Sequence, residues 1–304
     1  MPFDKRSLVI PDGTRFEERT IIAPGDFVLG NHTRVEFGLR TDARIFAGES
    51  AKIQGAVSAG GELRFDHFCT IEGDVEAKGN VYLGEKTRVE GKLLVGGDLD
   101  VGDDVAITKG FEAKGWINIR SPVPIVMYLF LYLMELLRMG KSEEVDKILK
   151  DLQDATEQIQ IGEKFLYLPD RSSLGLQHST IHGNFFVGKE CRILGNYNVK
   201  GNATIGPGTK LYGALRAQGT VKLQGGSEVQ GTLETLGKVV IGEGCRVLGD
   251  VRALEVEMFP SSVVDGRIVA PNGVKFTTQQ SLAMDDKMER YEAGMVDNIV
   301  DLLG

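Results

Sequence analysis

Nucleophilic, metal-binding or proton-transfer chemistry would have to begin with Cys69, Cys191 and Cys245, with His32, His67, His178 and His182, or with the adjacent pair Asp66 and His67. A zinc site needs several closely spaced Cys or His ligands. The cysteines form no Cys-x-x-Cys, and His178 and His182 share outward positions around inward Ile181 without a third ligand. A neighbouring Asp and His alone identify no catalyst. No GxxxxGK[ST] phosphate loop occurs among the 39 glycines, so neither nucleotide nor any other cofactor is expected.

The elements that position these residues explain them better than catalysis does. Adding 18 to a position returns the same residue class along much of the chain, as in Phe27, Ile45, Leu63, Val81, Leu99, Ile117 and in Val35, Ile53, Ile71, Val89, Ile107. A further lane runs Leu39, Val57, Val75, Leu93, Phe111, and glycine keeps its own lanes, such as Gly30, Gly48, Gly84, Gly102. Inward residues at i and i+2 describe a short strand. A step of six, as in Leu83, Val89, Val95, Val101, divides each coil of 18 into three strands and three corners. This predicts a three-sided parallel β-solenoid whose coils stack at about 4.8 Å. Corner glycines are expected to take positive φ. The three cysteines share one coil position with Thr33, Ala51, Thr87, Val105, Thr209 and Ser227, a lane for small buried side chains. Glu85, Lys86, Arg88 and Glu90 alternate with inward Thr87 and Val89, as a solvated outer face requires.

The array occurs twice. An offset of 158 places Phe27 on Phe185, Leu29 on Val187, Val35 on Ile193 and Leu39 on Tyr197. Near the end one residue drops out, so Val247 and Val251 recur 17 later as Val264 and Ile268. The expected organisation is mainly β: a first β-solenoid at 8–120, a helical hairpin at 121–164, a second β-solenoid at 165–277, and a C-terminal amphipathic helix at 278–304. Between the arrays, Val123 to Met134 is apolar without interruption before Glu135 and Arg138. That is shorter than the roughly 18–20 residues of a bilayer span. Ile125, Tyr128, Leu129, Phe130, Tyr132 and Leu133 are therefore candidates for burial against a partner chain or a membrane surface, and Phe3 near the N-terminus is a weaker one. Met284, Met288, Tyr291, Met295, Ile299 and Leu302 recur at steps of three and four, the pattern of a helix with one apolar face.

A net charge of −8 with a pI near 5.2 and no basic stripe exclude nonspecific binding to nucleic acid. The opening MPFDKRSLVI lacks the apolar run of a secretory signal, which makes the cytoplasm the expected compartment, with peripheral membrane contact left open.

Ile241 to Ala270, IGEGCRVLGDVRALEVEMFPSSVVDGRIVA, together with VYLGEKTRVEGKLLV, resembles the core of the bactofilins. The resemblance implies a right-handed β-helix, a polymer-forming cytoskeletal role without nucleotide or enzymatic activity, and membrane association through a short N-terminal segment. Two solenoids and the inserted helices depart from that family's usual single core. The hexapeptide-repeat acyltransferases are similar in period alone: their catalytic histidine sits near a projecting loop, whereas Asp26 to Gly115 runs five coils without insertion. A capped adaptor that does not polymerise is a further alternative.

Because a solenoid has two ends with unpaired strand edges, self-association is expected there. The candidate contacts are Ile10 and Phe16 at one end and Ile268, Val269 and Phe276 at the other. LVIPDGTRFEER and IVAPNGVKFTTQ echo each other in Pro, Gly and Phe spacing, which suggests similar joints.

Overall fold

The structure, a computed structural model, describes residues 5–119 and 164–277 together with the isolated positions Met134 and Arg138. The expected hairpin, save Met134, Arg138 and Lys164, and the expected C-terminal helix lie outside the described residues. Two compact units emerge, one ending at Leu176 and one beginning at Gln177. Each is a parallel β-solenoid with about 18 residues per coil.

In the first unit three sheets form the walls, and their registers are the sequence lanes. Phe27 pairs with Ile45, Ile45 with Leu63, Leu63 with Val81, Val81 with Leu99 and Leu99 with Ile117, all in parallel. The Leu39 lane and the Val35 lane build the other two walls in the same way. Inward side chains of successive coils thus meet like residues, and Phe27, Ile45, Leu63 and Leu99 are fully buried. Each such burial stabilises by roughly 1.5–3 kcal/mol relative to exposure.

The start of this unit is assembled from distant parts of the chain. Phe165–Leu168 lies parallel to Asp26–Leu29, and Ser173–Leu174 lies parallel to Arg34–Val35. These residues, assigned by periodicity to the second array, therefore stack on the first coil of the first. Asp170 accepts the Asn31 N–H at 2.8 Å, and Glu36 accepts the Leu176 N–H at 3.0 Å. Leu8–Ile10 then pairs antiparallel with Phe165–Leu168, while Arg15–Glu17 folds antiparallel onto Thr20–Ile22. Reversal of strand direction ends the parallel stack. Buried Asp26 accepts two bonds from the Arg44 side chain, at 3.2 and 2.6 Å, and the Arg44 N–H at 3.1 Å. Those hydrogen bonds raise the Arg44 guanidinium above its ordinary pKa.

Corner glycines do take positive φ in the second unit, at Gly208, Gly226 and Gly244, but the glycine lanes of the first unit have a different cause. Positive φ falls two residues after Gly30, Gly48, Gly84 and Gly102, on His32, Ser50, Lys86 and Asp104, and on Phe68 in the coil where Asp66 replaces glycine, with φ between 53 and 60. Side-chain-bearing residues accept this left-handed turn at a cost of order 1–2 kcal/mol each. What demands glycine is the close approach of adjacent coils. A Cβ on Gly97 would stand 2.2 Å from Asn80 Oδ1, and one on Gly91 would stand 2.3 Å from the Gly73 carbonyl oxygen.

In the second unit the Phe185 wall pairs Ala203, Val221, Val239, Val256 and Val274 in turn. The missing residue is absorbed at the corner after Val251–Arg252, since Val251 follows Leu233 by 18 but Val256 follows Val239 by 17. The solenoid tolerates this because a corner can shorten without moving any inward side chain to the outer face.

Candidate functional site at the open end coils

The chemically capable residues do not converge. All three cysteines are free and buried. Burial pushes the Cys69 thiol up from 9.0 to about 12, and Cys245 Sγ lies 3.3 Å from Ser227 Oγ within the small-residue lane. His67 Nδ1 accepts the Glu85 N–H at 3.1 Å, and its Nε2 lies 3.4 Å from Asp66 Oδ1. His67 thus does for the next coil what an Asn does elsewhere, holding a backbone donor at a corner. Among the described residues no group of three or more His, Cys, Asp or Glu could hold a metal ion. No described helix is long and apolar enough to cross a membrane.

Sequence reasoning missed a second ladder of the same kind at another corner. Asn80 Oδ1 accepts the Asp98 N–H at 2.9 Å, and Asp98 Oδ1 accepts the Trp116 N–H at 2.8 Å. Asn184 and Asn202 repeat the arrangement in the second unit. The signal was available as an Asn or Asp repeating at 18 with a glycine 17 residues after each: Gly97, Gly115, Gly201 and Gly219.

The surfaces able to engage another molecule are the last coils. Among the described residues, strands Ile117–Ile119 and Phe111–Ala113 pair on one side only, with Leu99–Val101 and Leu93–Val95. Residues in core lanes are consequently uncovered: Ile119 is 75% exposed, and Phe111 and Ile117 about half exposed, whereas Leu93 and Leu99 are fully buried. The second unit ends likewise. Among the described residues, Val274–Phe276 pairs only with Glu255–Met258, and Ile268–Val269 only with Val251–Arg252. Phe276 is 64% exposed, Val269 points outward and is 52% exposed, and Ile268 lies half-buried in the core lane.

The candidates at the other end are placed differently. Ile10 and Phe16 are buried, Ile10 within the antiparallel strand on Phe165–Leu168 and Phe16 with its ring 5.2 Å from that of Phe37. They offer no open surface. The echoing segments LVIPDGTRFEER and IVAPNGVKFTTQ differ in burial, for Phe16 is buried where Phe276 is 64% exposed. Phe3, Ile125, Tyr128, Leu129, Phe130, Tyr132 and Leu133 lie outside the described residues.

Residues 203–290 match the model of the bactofilin family, described as polymer-forming cytoskeletal. The match begins with the strand Ala203–Ile205 and takes in the open end coil of the second unit. The stacked parallel coils agree with that family's β-solenoid. No curated protein and no solved structure matches the chain.

Proposed function

We propose that this protein is a structural component that self-assembles through its open end coils into filaments or scaffolds, without nucleotide, in the cytoplasm and in peripheral contact with membrane. The observation that carries the reading is the end coil of the second unit, where Phe276, Val269 and the edge of Val274–Phe276 are uncovered inside a segment matching a polymer-forming family. An unpaired parallel edge beside exposed core residues is a template for another chain. Stacking of a second copy satisfies the edge and buries the apolar lanes together. A contact that does not close by symmetry propagates into a filament.

Electron microscopy of the purified protein in nucleotide-free buffer tests this. Elongated assemblies are expected, and small discrete particles at high concentration would sink the proposal.

A further inference from the structure

We infer that one outer wall of the first unit pairs face to face with the same wall of a second copy, the two solenoids side by side and parallel, related by a two-fold axis that runs along them. The contact lies on the flank of the coils and is separate from the end-coil joint proposed above.

The wall consists of Gly38–Thr41, Val57–Ala59, Val75–Ala77 and Leu93–Val95, and continues into Phe111–Ala113. Its outward residues form two columns. Strand register places Arg40, Ser58, Glu76, Leu94 and Glu112 one above another. Two residues further on, and so on the same face, backbone bonds between coils stack Asp42, Gly60, Lys78, Gly96 and Lys114. Each coil therefore carries a matched couple across the columns: Arg40 with Asp42, Ser58 with Gly60, Glu76 with Lys78, Leu94 with Gly96, Glu112 with Lys114.

A half-turn about an axis parallel to the solenoid and midway between the columns exchanges them while keeping every coil at its own height. Arg40 then faces Asp42 of the second copy, Glu76 faces its Lys78, and Leu94 faces the notch at its Gly96. That notch is part of a depression of about 610 Å³ bordered by Glu76, Lys78, Leu94, Gly96, Glu112 and Lys114. Facing sheets pack about 10 Å apart, a gap that leucine fills against glycine. Sliding one copy by a single coil sets Arg40 against Gly60 and Leu94 against Lys114. Opposing the two solenoids sets Glu76 on Glu76 and Lys78 on Lys78. The parallel arrangement in register matches every couple, which is the self-complementarity a two-fold contact requires.

The charges are free to make it. Arg40, Asp42, Glu76 and Lys78 are exposed and have no ion-pair partner among the described residues. Glu112 is held by Lys92 at 2.5 Å, so the coils before the last carry the contact. The corresponding wall of the second unit differs. Its columns read Asn198, Arg216, Glu234, Arg252 and Lys200, Gln218, Leu236, Leu254, with no couple of opposite charge, and Arg216 pairs with Glu234 of its own wall at 2.7 Å. Four coils about 4.8 Å apart give a patch on the order of 250 Å² per copy, well under the ~800 Å² of a standard interface. Pairing is therefore weak between lone molecules and strengthens where several copies are lined up.

Full-length protein carrying light or heavy nitrogen isotopes, mixed and treated with a carbodiimide at low salt, tests the contact. An amide joining Glu76 of one label to Lys78 of the other is expected by mass spectrometry. Arg40→Glu should cut the yield of that link about tenfold, because two couples become repulsive, and Arg40→Glu with Asp42→Arg should restore it. Sodium chloride raised to about 0.15 M should also reduce it, since exposed ion pairs are screened. Absence of the mixed-label link, or a charge swap that fails to restore it, would overturn the inference. A mixed-label link from Asp42 to Lys114 would overturn it in favour of opposed solenoids. Filaments without the wall link would defeat this inference alone, and the wall link on discrete particles would defeat only the assembly proposal.

Discussion

Asn80 and Gly97 interlock, and each residue type explains the other. The Asn80 amide oxygen reaches into the next coil to accept the Asp98 N–H, and the space it occupies is where a Cβ on Gly97 would stand, 2.2 Å away. Gly97→Ala should therefore destabilise the first unit by about 1–3 kcal/mol through overpacking. Asn80→Ala should cost about 1–2 kcal/mol, because it leaves a corner N–H without its partner. In the double variant the clash with the amide oxygen is gone, so the cost should fall short of the sum by at least about 0.5 kcal/mol. Urea denaturation of the four proteins measures this, and strict additivity would show that the two residues act independently. The same logic makes His67 a backbone-holding residue, since its Nδ1 receives the Glu85 N–H. Among the cysteines, burial makes thiolate formation at Cys69 unfavourable, so that residue belongs to packing rather than to redox or metal chemistry.

At the scale of strands and coils, the walls were legible because two inward residues per strand must meet their own kind one coil away, and a repeat of 18 is the trace of that stacking. The dropped residue near Val251 was legible for the same reason, and the structure locates it at a corner. Two features were not. Phe165–Leu168 and Ser173–Leu174 carry the periodicity of the second array, yet they pair with Asp26–Leu29 and Arg34–Val35. A lane pattern names the face a residue presents but not which of two equivalent coils receives it. Antiparallel Leu8–Ile10 also escapes, because alternation is the same in either strand direction. The open end of the second unit, by contrast, follows directly from where the lanes stop. Phe276→Arg places a charge on that end coil, where the side chain is already 64% exposed. It should leave the melting transition within a few degrees of the parent, since exposed substitutions usually change stability by less than about 0.5 kcal/mol. A stacked copy would have to bury the new charge. Assemblies in negative-stain images should shorten markedly, and filaments of parental length would remove this coil from the joint.

For the whole molecule, two contributions to assembly oppose one another. Joining end coils takes apolar side chains such as Phe276 and Val274 out of water, a contribution that salt does not screen. Each added copy also brings eight formal negative charges toward its neighbours, from a net charge of −8. That repulsion acts over the Debye length, which shrinks from about 30 Å at 0.01 M to about 8 Å at 0.15 M ionic strength. If contact is apolar and repulsion is diffuse, salt weakens only the opposing contribution. The critical concentration for assembly should then fall as sodium chloride rises from about 0.01 to about 0.15 M, followed by light scattering or by pelleting. The sign is what discriminates. A joint built chiefly from ion pairs between copies would lose strength over the same range, and its critical concentration would rise. Lys275, Arg246 and Arg252 near the end of the second unit already pair within their own chain, with Glu255, Asp265 and Asp250. Since those charges are engaged before any copy arrives, the apolar outcome is the expected one.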